Sequence, residues 1–183
     1  MIELPLDRIN AQSPYEVSYA PNGDFVFATS LGIHYLISFE SEEPVGGCAT
    51  FQFVIQKLDQ QHSPHDAKVE KVILAILEVF FTEHLDVLLY MCDDSDGREA
   101  NRNRLFLAWF KKHAAPERFT IRTASAIVEG RGFYAAIIVE NRNPLLKTII
   151  EDFEMTAQAL TTGKPLTSIC SMGTHTLLRL CQR

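Results

Sequence analysis

The stretch Val87-Leu-Leu-Tyr-Met-Cys-Asp-Asp-Ser-Asp-Gly-Arg-Glu-Ala-Asn-Arg-Asn-Arg-Leu-Phe-Leu-Ala-Trp-Phe110 decides the reading of this chain. Val87 to Cys92 is a continuous apolar run with almost no polar alternation, the pattern of a central strand covered on both faces. Three aspartates, a glycine and three arginines follow within a dozen residues. From about Gly97 to His113 the spacing becomes helical, with Leu105, Phe106, Trp109 and Phe110 on one side and Arg98, Asn101 and Arg102 on or near the other. Trp109 is expected to be buried. Strand ends that feed helix N-termini are where open α/β sheets tend to place ligands, so this junction is the candidate site.

On the N-terminal side, Val69, Val72, Ile73, Ile76, Leu77, Phe80 and Phe81 recur at helical spacing, with Lys68, Glu70, Lys71 and Glu78 on the solvent side and Asp66 as the N-cap. Strand, helix and strand in this order imply a parallel crossover. Residues 15 to 56 read instead as an antiparallel meander. Tyr15, Val17 and Tyr19 alternate with polar neighbours, and Pro21-Asn22-Gly23-Asp24 supplies turn chemistry before Phe25, Phe27 and Thr29 resume the alternation. After a break at Leu31-Gly32, Ile33, Tyr35, Ile37 and Phe39 share one face, and His34 points to solvent or a second layer. Glu42-Glu43-Pro44-Val45-Gly46-Gly47 reads as a loose loop before the strand carrying Phe51, Phe53 and Ile55.

On the C-terminal side, Pro116 stops the helix and Phe119, Ile121 and Thr123 alternate as a strand. Glu129-Gly130-Arg131-Gly132 reads as a hairpin connection into a strand from Phe133 to Glu140. Asn143-Pro144 opens a last helix with Leu146, Ile149, Ile150, Phe153, Ala157 and Leu160 in register. The expected fold is therefore α+β: a mixed, twisted sheet, begun by an antiparallel meander and continued as β-α-β-α-β-β, with helices packed on it. Residues 1–163 are expected to form a single domain, and residues 164–183, which show no clear period, a C-terminal tail.

A chain of 183 residues, 46% hydrophobic and 22% charged, is long enough to bury one sizeable core. The N-terminus lacks a basic region followed by an apolar run, and no stretch approaches the ~18 apolar residues of a membrane span, so a cytoplasmic protein is expected. Cys48, Cys92, Cys170 and Cys181 are far apart, with no C-x-x-C pair, and read as reduced thiols. The formal net charge of -6 argues against a general nucleic-acid binder, which needs clustered Lys and Arg to neutralise phosphates.

The candidate ligand or partner surface comprises Asp93, Asp94, Ser95, Asp96, Arg98, Asn101, Arg102 and Arg104. In its functional reading, the fork-shaped guanidiniums bind a carboxylate, a phosphate or a partner segment. In its structural reading, Ser95 or Asp96 caps the helix, and the arginines pair with neighbouring acids for roughly 0 to 1 kcal/mol each. A calcium loop does not fit. With Gly97 in the sixth position, the first ligand would be Cys92 and the twelfth Asn103, neither a carboxylate. Cys92 beside three acids is a poor nucleophile, because negative neighbours raise a thiol pKa. No catalytic residue and no metal set is assigned. His62 and His65, three residues apart, lack further ligands.

The run from Val87 through Asp93-Asp-Ser-Asp-Gly-Arg98, continued by Asn103-Arg-Leu-Phe and Trp109-Phe, resembles the signature of a bacterial domain-of-unknown-function family over roughly residues 14 to 155. That resemblance implies no activity and supplies no catalytic residue. In order of elements the chain also resembles the N-acetyltransferase superfamily (GNAT), and Asn103 to Lys112 is similar to the helix after that superfamily's fifth strand. The resemblance implies acetyl-CoA held by a Gly-rich turn between the fourth strand and its helix. Here that place holds Asp59-Gln-Gln-His-Ser-Pro-His-Asp66, with no glycine. The expectation is thus a non-enzymatic interaction or accessory domain without a cofactor, binding a protein or a small anionic ligand, with a homodimer among its states. The alternative is an acyltransferase-like enzyme using acetyl-CoA.

Overall fold

A computed structural model describes residues 2–59, 66–92, 99–113, 117–128 and 131–162. Among them the chain forms α1 (Leu6–Asn10), β1 (Val17–Tyr19), β2 (Phe25–Ala28), β3 (His34–Val45), β4 (Cys48–Lys57), α2 (Ala67–Glu83), β5 (Val87–Cys92), α3 (Glu99–His113), β6 (Phe119–Val128), β7 (Arg131–Glu140) and α4 (Leu146–Thr162). The fold is α+β. The strands form a seven-stranded mixed sheet, mostly antiparallel, in the order β1-β2-β3-β4-β5-β7-β6. The chain divides into two compact units, residues 1–40 with 53–84 and residues 41–52 with 85–183, so β3 and β4 each contribute to both.

In the first unit the meander is in place, with Phe25 opposite Ile37 and Val17 opposite Phe27. Gly23 and Gly32 take positive φ, 88° and 73°, at the two expected turns. Phe39 stacks on Phe80 of α2 at 4.8 Å and meets Phe25 and Phe53, so alternating strand residues and the helical stripe share one aromatic core. α2 buries ten of its 17 residues, a stripe wider than a one-sided amphipathic helix presents, and this overturns the placing of Glu70 on the solvent side. α1 was not legible in the sequence. It is fastened to β1 by Asn10, whose side chain accepts the N–H of Val17 and donates to its carbonyl, and Tyr19 closes the same segment through both backbone groups of Leu4.

In the second unit β5 lies between β4 and β7, the interior place its apolar run predicts. Val87, Leu89, Ala135, Ile137 and Val139 pack against Ile149 and Phe153 of α4. The alternate residues face the other way, where Tyr90 meets Phe106 of α3, so the two helices cover opposite faces of β5 and β7. The expected loop at Glu42–Val45 is instead strand. The turn is only Gly46-Gly47, with φ of 57° and 77°, and its two-residue hairpin chemistry prevails over the charges and the proline that precede it. α4 begins at Leu146, two residues beyond Pro144, with Asn143 Oδ1 accepting the N–H of Leu145 at 2.7 Å. The 164–183 tail lies outside the described residues.

Candidate functional site

β5 ends at Cys92 and α3 begins at Glu99, so the predicted junction links an interior strand to a helix start. Asp93, Asp94, Ser95, Asp96 and Arg98 lie outside the described residues. Asn101 and Arg102 stand in the first turn of α3, and Arg104 follows with an exposed side chain. The helix is held against β5 by Phe106, whose ring stacks on Tyr90 with centroids 3.8 Å apart and planes 20° from parallel. Phe110, four residues on, meets Phe119 of β6 edge-on at 5.2 Å. The buried stripe is centred on these two phenylalanines. Trp109, expected to be buried, lies on its flank and is half-buried, and Leu105, a further step around the helix, is 45% exposed.

The strand register extends this end of the sheet sideways. Cys92 is opposite Tyr134, and Tyr134 is opposite Ser125. Ser125 and Thr123 are exposed on the α3 side of β6, and Tyr134 is half-buried. β6 is the last strand in the order, and among the described residues no strand pairs with its outer edge.

Sequence reasoning missed a second constellation, in the first unit, where long-range pairs converge on the start of α2. Asp66 Oδ1 accepts the backbone N–H of Lys68 at 2.9 Å, the expected cap, while its Oδ2 accepts the hydroxyl of Tyr15 at 2.7 Å. Tyr15 also lies 3.3 Å from Ser30 Oγ and under Lys68 Nζ, 5.4 Å from the ring centroid. Nearby in sequence, Asp59 Oδ2 accepts the N–H of His34 and lies 3.2 Å from His34 Nδ1. The His34 backbone N–H holds the Asp59 carboxyl below its ordinary value of 3.8. His34 itself is exposed. His62 and His65, between Asp59 and Asp66, lie outside the described residues. Separations of 51 and 25 residues hide the Tyr15–Asp66 and His34–Asp59 pairs from any local pattern.

A third cluster sits where β7 ends. Glu140, 1% exposed, gathers Arg118 Nε at 3.0 Å, Arg142 Nε at 2.9 Å and Arg142 Nη2 at 2.7 Å on a single carboxylate oxygen, Oε1. Arg118 also covers the ring of Phe119. Glu140 pairs with Phe119 at the start of β6, so this cluster and the junction occupy opposite ends of β7. It joins the start of β6 to the end of β7.

No curated protein and no solved structure matches the chain. A family model matches residues 65–155, which carry α2, β5, the junction, α3, β6, β7 and the first half of α4. The family whose model matches there is DUF6169, a family of unknown function, to which the segment from residue 65 to residue 155 is similar.

Proposed function

We propose that the protein is a non-enzymatic, cytoplasmic interaction or accessory domain that works without a cofactor. Its partner surface is the β5–α3 junction, from Asp93 to Arg104, continued by Tyr134 and Ser125. The observation that carries this reading over an acyltransferase is the state of the α2 N-terminus. An acetyl-CoA pyrophosphate would need the free N–H groups of that helix start. Asp66 already places a carboxylate on the N–H of Lys68, and Tyr15 anchors its other oxygen. A pyrophosphate would have to displace one anion and leave the Tyr15 hydroxyl without its acceptor. The three arginines of the junction, with their bidentate donors, favour a carboxylate-bearing partner segment or a small anion. Among the described residues no helix is long and apolar enough to cross a membrane.

Calorimetric and thermal-shift titration with acetyl-CoA tests this. A ligand that binds only the folded form raises stability by about 2.7 kcal/mol at a hundredfold excess over its dissociation constant. The expected result is no saturable heat and an unmoved melting temperature. Saturable stabilisation would overturn the non-enzymatic reading in favour of an acyltransferase.

A further inference from the structure

We infer that the partner at this end of the sheet is a second copy of the chain, joined through antiparallel pairing of β6 with β6. This names the partner within the interaction reading and rests on it. The first observation is how little β6 does to discourage pairing. Terminal strands normally blunt their open N–H and C=O groups by being short, by carrying lysine or proline, or by bulging. β1, at the opposite end of the order, is three residues long. β6 has ten, Phe119-Thr-Ile-Arg-Thr-Ala-Ser-Ala-Ile-Val128, without lysine or proline, and its register with β7 is unbroken from end to end. Its one charge, Arg122, is committed to Glu154 of α4 at 3.0 Å.

The second observation is that this strand is complementary to itself. A two-fold axis perpendicular to the sheet keeps the α3 faces of both copies on one side, so residues of like parity must stand opposite each other. With the axis at Ala124, Thr123 of each copy stands opposite Ser125 of the other. Both are exposed, and the pairing produces two symmetric Thr–Ser contacts of the kind that stabilise antiparallel ladders. Arg122 falls opposite Ala126. The two Arg122 positions are then about 14 Å apart, from the ~3.4 Å rise per residue and the ~4.8 Å strand spacing. That exceeds the ~10 Å screening length, and each guanidinium keeps its own Glu154, so no like charges confront each other. At the centre of this register a second β6 meets Ala124 at the axis, with Thr123 against Ser125 on either side of it.

Sedimentation velocity on the full chain over a dilution series, with charge-swap variants, tests the pairing. The wild type is expected to sediment as a concentration-dependent dimer. T123K/S125K sets lysine against lysine across the axis and is expected to weaken the dimer at least about tenfold. T123E/S125E is expected to do the same, and an equimolar mixture of the two is expected to restore a heterodimer. As a check that needs no variant, hydrogen exchange of the wild type is expected to show β6 amides whose protection rises with protein concentration. A wild type monomeric at every concentration, a dimer unmoved by both charge variants, or β6 protection independent of concentration would each overturn the proposal. A monomer that ignores acetyl-CoA removes the second copy and leaves the interaction reading standing; saturable acetyl-CoA binding removes that reading whatever the oligomeric state.

Discussion

The backbone N–H of Gly46 donates to Asp152 Oδ2 at 2.7 Å, and the place a Gly46 Cβ would take lies 2.6 Å from the backbone N and Cα of Ile149. The turn between β3 and β4 thus rests directly on the α4 backbone, at a distance that only glycine permits. Gly47, with φ of 77°, has open space around it.

The two glycines therefore separate two costs. Gly47→Ala should destabilise by about 1 kcal/mol, the left-handed backbone penalty alone. Gly46→Ala carries the same penalty plus an overlap with backbone that cannot rotate away, and should cost a further 1–3 kcal/mol or so. Urea denaturation of both variants measures this, and equal losses would mean that the turn does not bear on α4.

Glu140 is expected to be the most sensitive charged residue of the second unit. Glu140→Ala leaves the Arg118 guanidinium, 27% exposed, without this buried counter-charge, and should cost about 3–5 kcal/mol. Arg142→Ala removes a side chain that is 69% exposed and should cost no more than about 1 kcal/mol. Equal effects of the two substitutions in chemical denaturation would contradict the difference in burial.

Much of the fold was legible where side-chain period and burial coincide. Val87–Cys92 has the continuous apolar run of an interior strand, and the alternation from Tyr15 to Phe39 reads as a meander, in which a one-residue slip would turn every apolar group outward. Legibility failed where a segment is fixed by distant partners. α1 is too short for a periodic signal and depends on Asn10 and Tyr19 reaching other parts of the chain. Glu70 was misplaced because the two-faced helix assumption breaks down for α2. Of the candidate site, the sequence located the strand-to-helix junction. It gave no hint of the Asp66–Tyr15 contact at the start of α2, because no local spacing encodes a pair 51 residues apart.

That contact gives a graded expectation. Asp66→Ala removes both the cap and the Tyr15 acceptor and should cost about 1–2 kcal/mol. Asp66→Asn keeps an oxygen for Lys68 N–H and should cost less, and Tyr15→Phe should cost about 1 kcal/mol. In a double-mutant cycle, Tyr15→Phe should add little to Asp66→Ala. Full additivity would show that the hydroxyl and the cap act independently.

Asp59 should titrate below its ordinary 3.8 because the His34 N–H stabilises its charged form. Its contribution to stability is therefore fully present above 3.8 and is lost as pH falls through the lowered value. Asp59→Asn should lose less stability than the wild type as pH falls from about 5 to about 2. Carboxyl-carbon NMR of the native protein reads the titration directly, and a value at or above 3.8 would rule the contact out in solution.

Among the described residues, α3 is held on β5 by the stack of Phe106 on Tyr90. Phe106 is 3% exposed and lies on Tyr90, so Phe106→Ala opens a cavity between α3 and β5 and should cost about 3–5 kcal/mol. Arg104 is exposed on the same helix, and Arg104→Ala should change stability by no more than about 0.5 kcal/mol. Partner binding is expected to reverse that order of importance: Arg104→Ala should weaken it with the fold intact, since a guanidinium aimed at solvent serves recognition before it serves packing. Melting curves for both variants, combined with binding measured on folded Arg104→Ala, distinguish the two roles. If Arg104→Ala destabilises as strongly as Phe106→Ala, the arginine belongs to the packing of α3 and not to a surface that a partner reads.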